Sequence, residues 1–195
     1  MSTSAEILAA PGRRLPGDLA MWFFILAELS VFAILILAFA FTQMFHPQLF
    51  GESRAALDSS IGLALTLSLL TSGLLAALAV EQVRKAKQGR AALLLLVALA
   101  SACIYVVLKL NEYGHLAGLG LDIEHNTFFT LYWILTGFHF LHVLLGMVIL
   151  AWLAERCRRR AYRPEEHSGL ESGVLYWHMV DLVWVLLFPL VYVLN

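Results

Sequence analysis

FFTLYWILTGFHFLHVLLGMVILAWL, residues 128–153, contains no Asp, Glu, Lys or Arg. A bilayer core about 30 Å thick needs about 20 mostly apolar helical residues, and this stretch exceeds that length. Four more stretches qualify: Leu19–Phe41, Ile61–Val80, Ala91–Leu110 and Val174–Leu194. The composition agrees. Of 195 residues, 61% are hydrophobic and 14% charged, with a mean hydropathy of +0.79, whereas soluble domains are roughly 45–50% apolar and about 25% charged. The formal charge of −1 leaves no basic surface of the kind that attracts nucleic acid. Cys103 and Cys157 match neither a disulfide framework nor a Cys-x-x-Cys motif, and read as packing residues. The fold expected is all-α: one polytopic bundle of five transmembrane helices over residues 18–195, preceded by an N-terminal arm, residues 1–17.

The direction follows from the loops. Of the 13 Lys and Arg residues, Arg13 and Arg14 lie in the arm, Arg84, Lys85, Lys87 and Arg90 in the second loop, and Arg156, Arg158, Arg159, Arg160 and Arg163 in the fourth. Arg54 is alone on the other side. By the positive-inside rule the N-terminus is cytoplasmic and the C-terminus periplasmic. The first apolar run is too long for a cleavable signal peptide and reads as an uncleaved anchor. Trp22, Trp133, Trp152, Tyr176 and Trp177 fall near span ends, as interfacial aromatics do. The second span, with Gly62, Gly73, Ala76, Ala77 and the hydroxyls of Thr66, Ser68, Thr71 and Ser72, reads as a packing helix.

The informative residues are polar ones at membrane depth. Glu28 lies about 14 Å along its helix from Leu19. His139 and His142 share one face of the fourth span at i,i+3, and His178 and Asp181 repeat that spacing in the fifth. Charges at the bilayer centre cost roughly 3 kcal/mol or more, so these groups face the bundle interior or a partner. Three uses are open: an interhelical hydrogen-bond cluster in which imidazoles satisfy Asp181 and a protonated Glu28, a metal site, or proton handling or lipid contact at Glu28. Lys109 and Glu112 read as a solvated i,i+3 pair at the outer end of the third span, with the lysine reaching for the interface. Pro189 should bend the fifth span.

Four segments carry a family resemblance. Residues 19–32, LAMWFFILAELSVF, are similar to a helix with a buried acid before aromatics, and Lys109-Leu-Asn-Glu-Tyr113 resembles a helix ending in Glu-Tyr. Thr136-Gly-Phe-His-Phe-Leu-His-Val143 and Tyr176-Trp-His-Met-Val-Asp-Leu-Val-Trp184 resemble T-G-x-H-x-x-H-V and Y-W-H-x-x-D-x-V-W. These are motifs of subunit III of the haem–copper oxidases, here in a five-helix form lacking two N-terminal helices of longer members. The resemblance implies a non-catalytic accessory subunit of a respiratory complex in the bacterial inner membrane. Such a subunit binds no cofactor itself. It packs against a catalytic subunit that carries haem with copper or iron, and it contacts phospholipid and supports stability and proton uptake. Glu28, His139, His142, His178 and Asp181 would be its buried polar, proton- or lipid-linked residues, with Lys109, Glu112 and Tyr113 secondary. The stretch Pro16-Gly-Asp-Leu-Ala-Met-Trp22 resembles a branch associated with nitric oxide reductase. The rival reading is a stand-alone membrane haem or metal protein, or a proton-coupled carrier, using the same His/Asp/Glu cluster.

Overall fold

The structure is a computed structural model that describes residues 18–163 and 166–194. The expected arm, residues 1–17, lies outside them. Six α-helices follow one another: α1 (Leu19–Phe45), α2 (Pro47–Arg54), α3 (Ser59–Arg84), α4 (Gln88–Gly118), α5 (Thr127–Arg158) and α6 (Ser168–Phe188), the last continued by a π turn, Pro189–Val193. Five of them, counting α6 with its π turn as one, are long and apolar enough to cross a membrane. Their ends are set by local chemistry. Asp58 accepts from the Ser60 N–H at 2.7 Å and Asn126 from the Phe129 N–H at 3.0 Å, capping α3 and α5. Pro47 opens α2, where its missing N–H costs no helical bond.

Helices α3 to α6 form a closed ring in which each packs on the next and α6 returns to α3. The α3–α4 pair is tied by hydroxyls: Ser72 donates to the Ala98 carbonyl and Ser101 to the Ser68 carbonyl. Small residues set the approach of α6. A Cβ on Gly73 would lie 2.1 Å from Asp181 Oδ2, one on Gly146 2.5 Å from the Trp177 ring, and one on Gly62 2.9 Å from Phe188. Helix α1 lies outside the ring against α5 and α6, touching it along a stripe of Ile25, Phe32 and Phe39, seven residues apart. Only 17% of its apolar core stretch is buried, against 56% in α6, so most of α1 faces outward.

Three expectations change. The Tyr176 and Trp177 side chains belong to the core rather than an interfacial belt: α6 begins at Ser168, a turn and a half earlier than expected, and Trp177 seats on Gly146. The first loop holds a helix, α2, whose Phe50 packs edge-on against Phe39 and Phe128. Arg54, counted from sequence as the one cation of that side, is buried. Its Nε donates to the Val191 carbonyl at 2.9 Å and its Nη2 to the Leu190 carbonyl at 3.2 Å, so it caps the end of the fifth span. Burial lowers its pKa, though a guanidinium remains charged. Cys103 is exposed and Cys157 buried, both as free thiols.

Candidate functional site

Helix α4 does not stop at Leu110 but runs to Gly118, which carries Tyr105, Lys109 and Glu112 along one inward face. Lys109 and Glu112 are therefore not a solvated pair. Their side chains are 0% and 5% exposed. The three ammonium protons have three acceptors: Glu112 Oε2 at 2.8 Å, the Tyr132 hydroxyl at 3.0 Å and the Tyr192 hydroxyl at 2.9 Å. Tyr192 in turn donates to Glu112, 2.7 Å from Oε1. The rings of Tyr113, Tyr132, Trp184 and Tyr192 surround the ammonium at 4.8 to 5.6 Å, a cation–π cage in a dry setting. Tyr192 reaches the cluster from the π turn, whose wider winding changes the register of the last residues of the span. Beside it, Tyr113 donates to Thr136 at 2.9 Å.

A second pair joins α1 to α5. Glu28 lies on the inward stripe of α1, between Ile25 and Phe32, and its Oε2 is 3.0 Å from His142 Nε2. His142 Nδ1 is 2.8 Å from the Phe138 carbonyl. A carbonyl only accepts, so Nδ1 carries a hydrogen. The Nε2–Glu28 contact then holds one further proton: either the carboxyl donates to a neutral ring, or an imidazolium donates to a carboxylate. In both forms the pair is neutral. Both side chains keep some exposure, 23% for Glu28 and 12% for His142, where α1 meets α5.

The third pair is local to α6, with His178 Nδ1 3.3 Å from Asp181 Oδ2. Asp181 is nearly buried against the Gly73 backbone, while His178 is 40% exposed. His139 stands apart from every pair. It is fully buried, its ring stacks on Trp184 at 5.1 Å, and neither ring nitrogen has a hydrogen-bond partner among the described residues. The two histidines of α5, three residues apart, thus lead different lives: His142 faces α1, and His139 faces the centre of the ring.

The structure does not bring the sequence-derived residues into one cluster. It distributes them into three acid–base pairs and one packed imidazole. Among the described residues no three His, Cys, Asp or Glu side chains come close enough to hold a metal ion. Tyr132 and Tyr192 complete the Lys109 cluster without a sequence motif of their own, and Trp184, the last residue of the Y-W-H-x-x-D-x-V-W motif, adds its ring. An unbroken helical spacing of Tyr105, Lys109 and Glu112, with no Gly or Pro before Gly114, was the available signal for the α4 part. Tyr192 depends on a π register that no local motif announces.

Five membrane-length helices, with Glu28–His142 bridging α1 to α5 and the Lys109–Glu112 pair bound by tyrosines of α5 and the π turn, define a polytopic membrane protein. The profile of cytochrome c oxidase subunit III matches residues 17–195, and the chain belongs to that family. It is 29% identical over 178 residues to the probable quinol oxidase subunit 3 of Staphylococcus aureus, covering 91% of this chain and 88% of that one. With cytochrome c oxidase subunit 3 of Synechocystis sp. it shares 38% identity over 96 residues, 49% of this chain and 40% of the relative. With that of Thermostichus vulcanus it shares 37% over 78 residues, 40% of this chain and 39% of the relative. The matched stretches thus span about two fifths of the last two relatives.

Proposed function

We propose that this chain is a non-catalytic accessory subunit of a haem–copper oxidase in the bacterial inner membrane, with its N-terminus cytoplasmic, packed against the haem-bearing catalytic subunit. One observation carries the reading: the three mid-bundle acids, Glu28, Glu112 and Asp181, are each engaged by His142, Lys109 and His178. Glu28–His142 joins α1 to α5, and Lys109 reaches Tyr132 of α5 and Tyr192 beyond α6, so these groups hold helices in register. Membership of the subunit III family supplies the kind of complex. The relatives described above are named for cytochrome c and quinol oxidases, which supports an oxygen-reducing partner over a nitric oxide reductase. The orientation rests on the concentration of Lys and Arg at one end of the bundle.

Glu28 and His142 have the second part of the role. Their shared proton sits at a partly exposed position between α1 and α5 rather than in the ring's core, so it can exchange with a partner subunit packed there. The pair supports proton supply to the complex. The test compares membranes with the chain, without it, and with Glu28→Gln. Loss of the chain should shorten the working life of oxygen consumption. Glu28→Gln should assemble normally and slow proton uptake. Nitric oxide consumption that depends on the chain, with oxygen consumption that does not, would reject the oxidase assignment.

A further inference from the structure

The end of the bundle opposite the Lys- and Arg-rich loops carries its charge the other way. In residues 43–61 and 109–128 the cations are Arg54 and Lys109, both buried and bound within the chain. Glu52, Asp58, Asp122 and Glu124 are exposed there, with no exposed Lys or Arg among the described residues to balance them. An acidic surface alone selects nothing, since water and salt screen it. At one place, however, it is shaped: a cavity of about 370 Å³ lies between the α2–α3 link and the last turns of α4.

Its lining is of three kinds. Leu57, Ile61 and Leu116 make apolar walls. Asp58 and His115 line it from exposed positions. Asp58 accepts from the Ser60 N–H but has no cationic partner among the described residues. Glu112 lines it from a buried position, 5% exposed, where Lys109 and Tyr192 fix its place. Two donors leave acceptor positions open on a carboxylate that has about four. Lys109 cancels the charge of Glu112, so Asp58 is the unbalanced charge. Apolar walls, a fixed acceptor and an unbalanced carboxylate are complementary to a cation carried on an apolar stem.

We propose that this cavity receives a Lys or Arg side chain of a partner polypeptide docked at this end of the bundle. Such a side chain has the required form, a run of methylenes ending in a charged head. The stem lies along Leu57, Ile61 and Leu116, and the head meets Asp58 and the open acceptor positions of Glu112. The partner is not a second copy of this chain. A copy in the same membrane presents the same end, which has no exposed Lys or Arg among the described residues. A free cation is also a poor occupant, because one exposed carboxylate holds an ion weakly in water, whereas a docked partner delivers its side chain already tethered. The site shares no residue with the Glu28–His142 pair and does not depend on the oxidase assignment.

The test keeps the full chain in native membranes. Photoreactive benzoylphenylalanine replaces Ala55, an exposed residue beside the cavity, and the crosslinked peptide is identified by mass spectrometry. The expected product is a polypeptide other than this chain, whose crosslinked segment carries Lys or Arg. Asp58→Asn should lower the yield about fivefold and leaves the fold in place, because Asn caps a helix as well as Asp does. Glu124→Gln removes the same charge from the same end away from the cavity and should leave the yield intact. Ala56→Phe fills the cavity with Asp58 still present and should abolish the product. Equal losses from Asp58→Asn and Glu124→Gln would reduce the site to a general acidic surface and overturn it. A crosslink to a second copy, to a segment without Lys or Arg, or to no polypeptide at all overturns the proposed partner.

Discussion

Replacing Lys109 by Met keeps the length of the side chain and removes its charge and three donors. Glu112 is then left 5% exposed with the Tyr192 hydroxyl but no cation. Breaking a buried ion pair from one side costs about 3–5 kcal/mol, because the surviving charge stays desolvated. Glu112→Gln strands the ammonium instead, between two tyrosine hydroxyls at 2.9 and 3.0 Å, and the same range applies. Removing both charges, Lys109→Met with Glu112→Gln, takes away the stranded ion and should cost less than the sum of the singles by about 2–3 kcal/mol. The assay is reversible unfolding in mixed micelles, following helical circular dichroism as denaturing detergent is raised. Refutation would take one of two forms. Each single variant could lie within about 0.5 kcal/mol of the native chain, as surface substitutions do, or the two losses could simply add.

Further outcomes follow from the packing. Gly73→Ala places a methyl 2.1 Å from Asp181 Oδ2, so the Asp181 carboxylate must move and give up its contact with His178, at a cost of about 1–3 kcal/mol; an unchanged thermal midpoint in detergent would contradict this. Arg54→Ala frees the carbonyls of Val191 and Leu190, which the guanidinium holds at 2.9 and 3.2 Å. The loss should be about 1.5–3 kcal/mol, with faster hydrogen exchange confined to residues 190–194, and Arg54→Lys should restore only part of it. His139→Phe should be tolerated to within about 1.5 kcal/mol, since the ring makes no hydrogen bond among the described residues and stacks on Trp184; loss of folded protein on this change would show that the imidazole has polar work.

The spans were legible because a membrane leaves little latitude: runs such as residues 128–153 have no other stable home in a chain this apolar. The pairing of Glu28 was legible in kind, since an acid nine residues into a span must find a donor. Which histidine supplies it was not legible. His139 and His142 share one helix face in sequence terms, and only the position of α1 beside α5 separates them. Lys109 and Glu112 read as a solvated pair because hydropathy falls after Leu110, whereas the helix continues two turns further. Polarity there marks a buried ion pair rather than a span end, a distinction set by the tyrosines of the flanking helix and the π turn. Tyr192 and Arg54 complete the picture through the π turn after Pro189, a backbone feature that hydropathy does not report.

A strut for a redox partner carries no redox centre of its own. The direct measurement is an optical spectrum taken twice on tagged chain extracted in mild detergent: once with whatever co-purifies, and once after harsher detergent has stripped it to the single subunit. The first sample should show haem absorption and a large haem-bearing subunit, and the second no Soret band. A stoichiometric haem that stays with the stripped chain would contradict it.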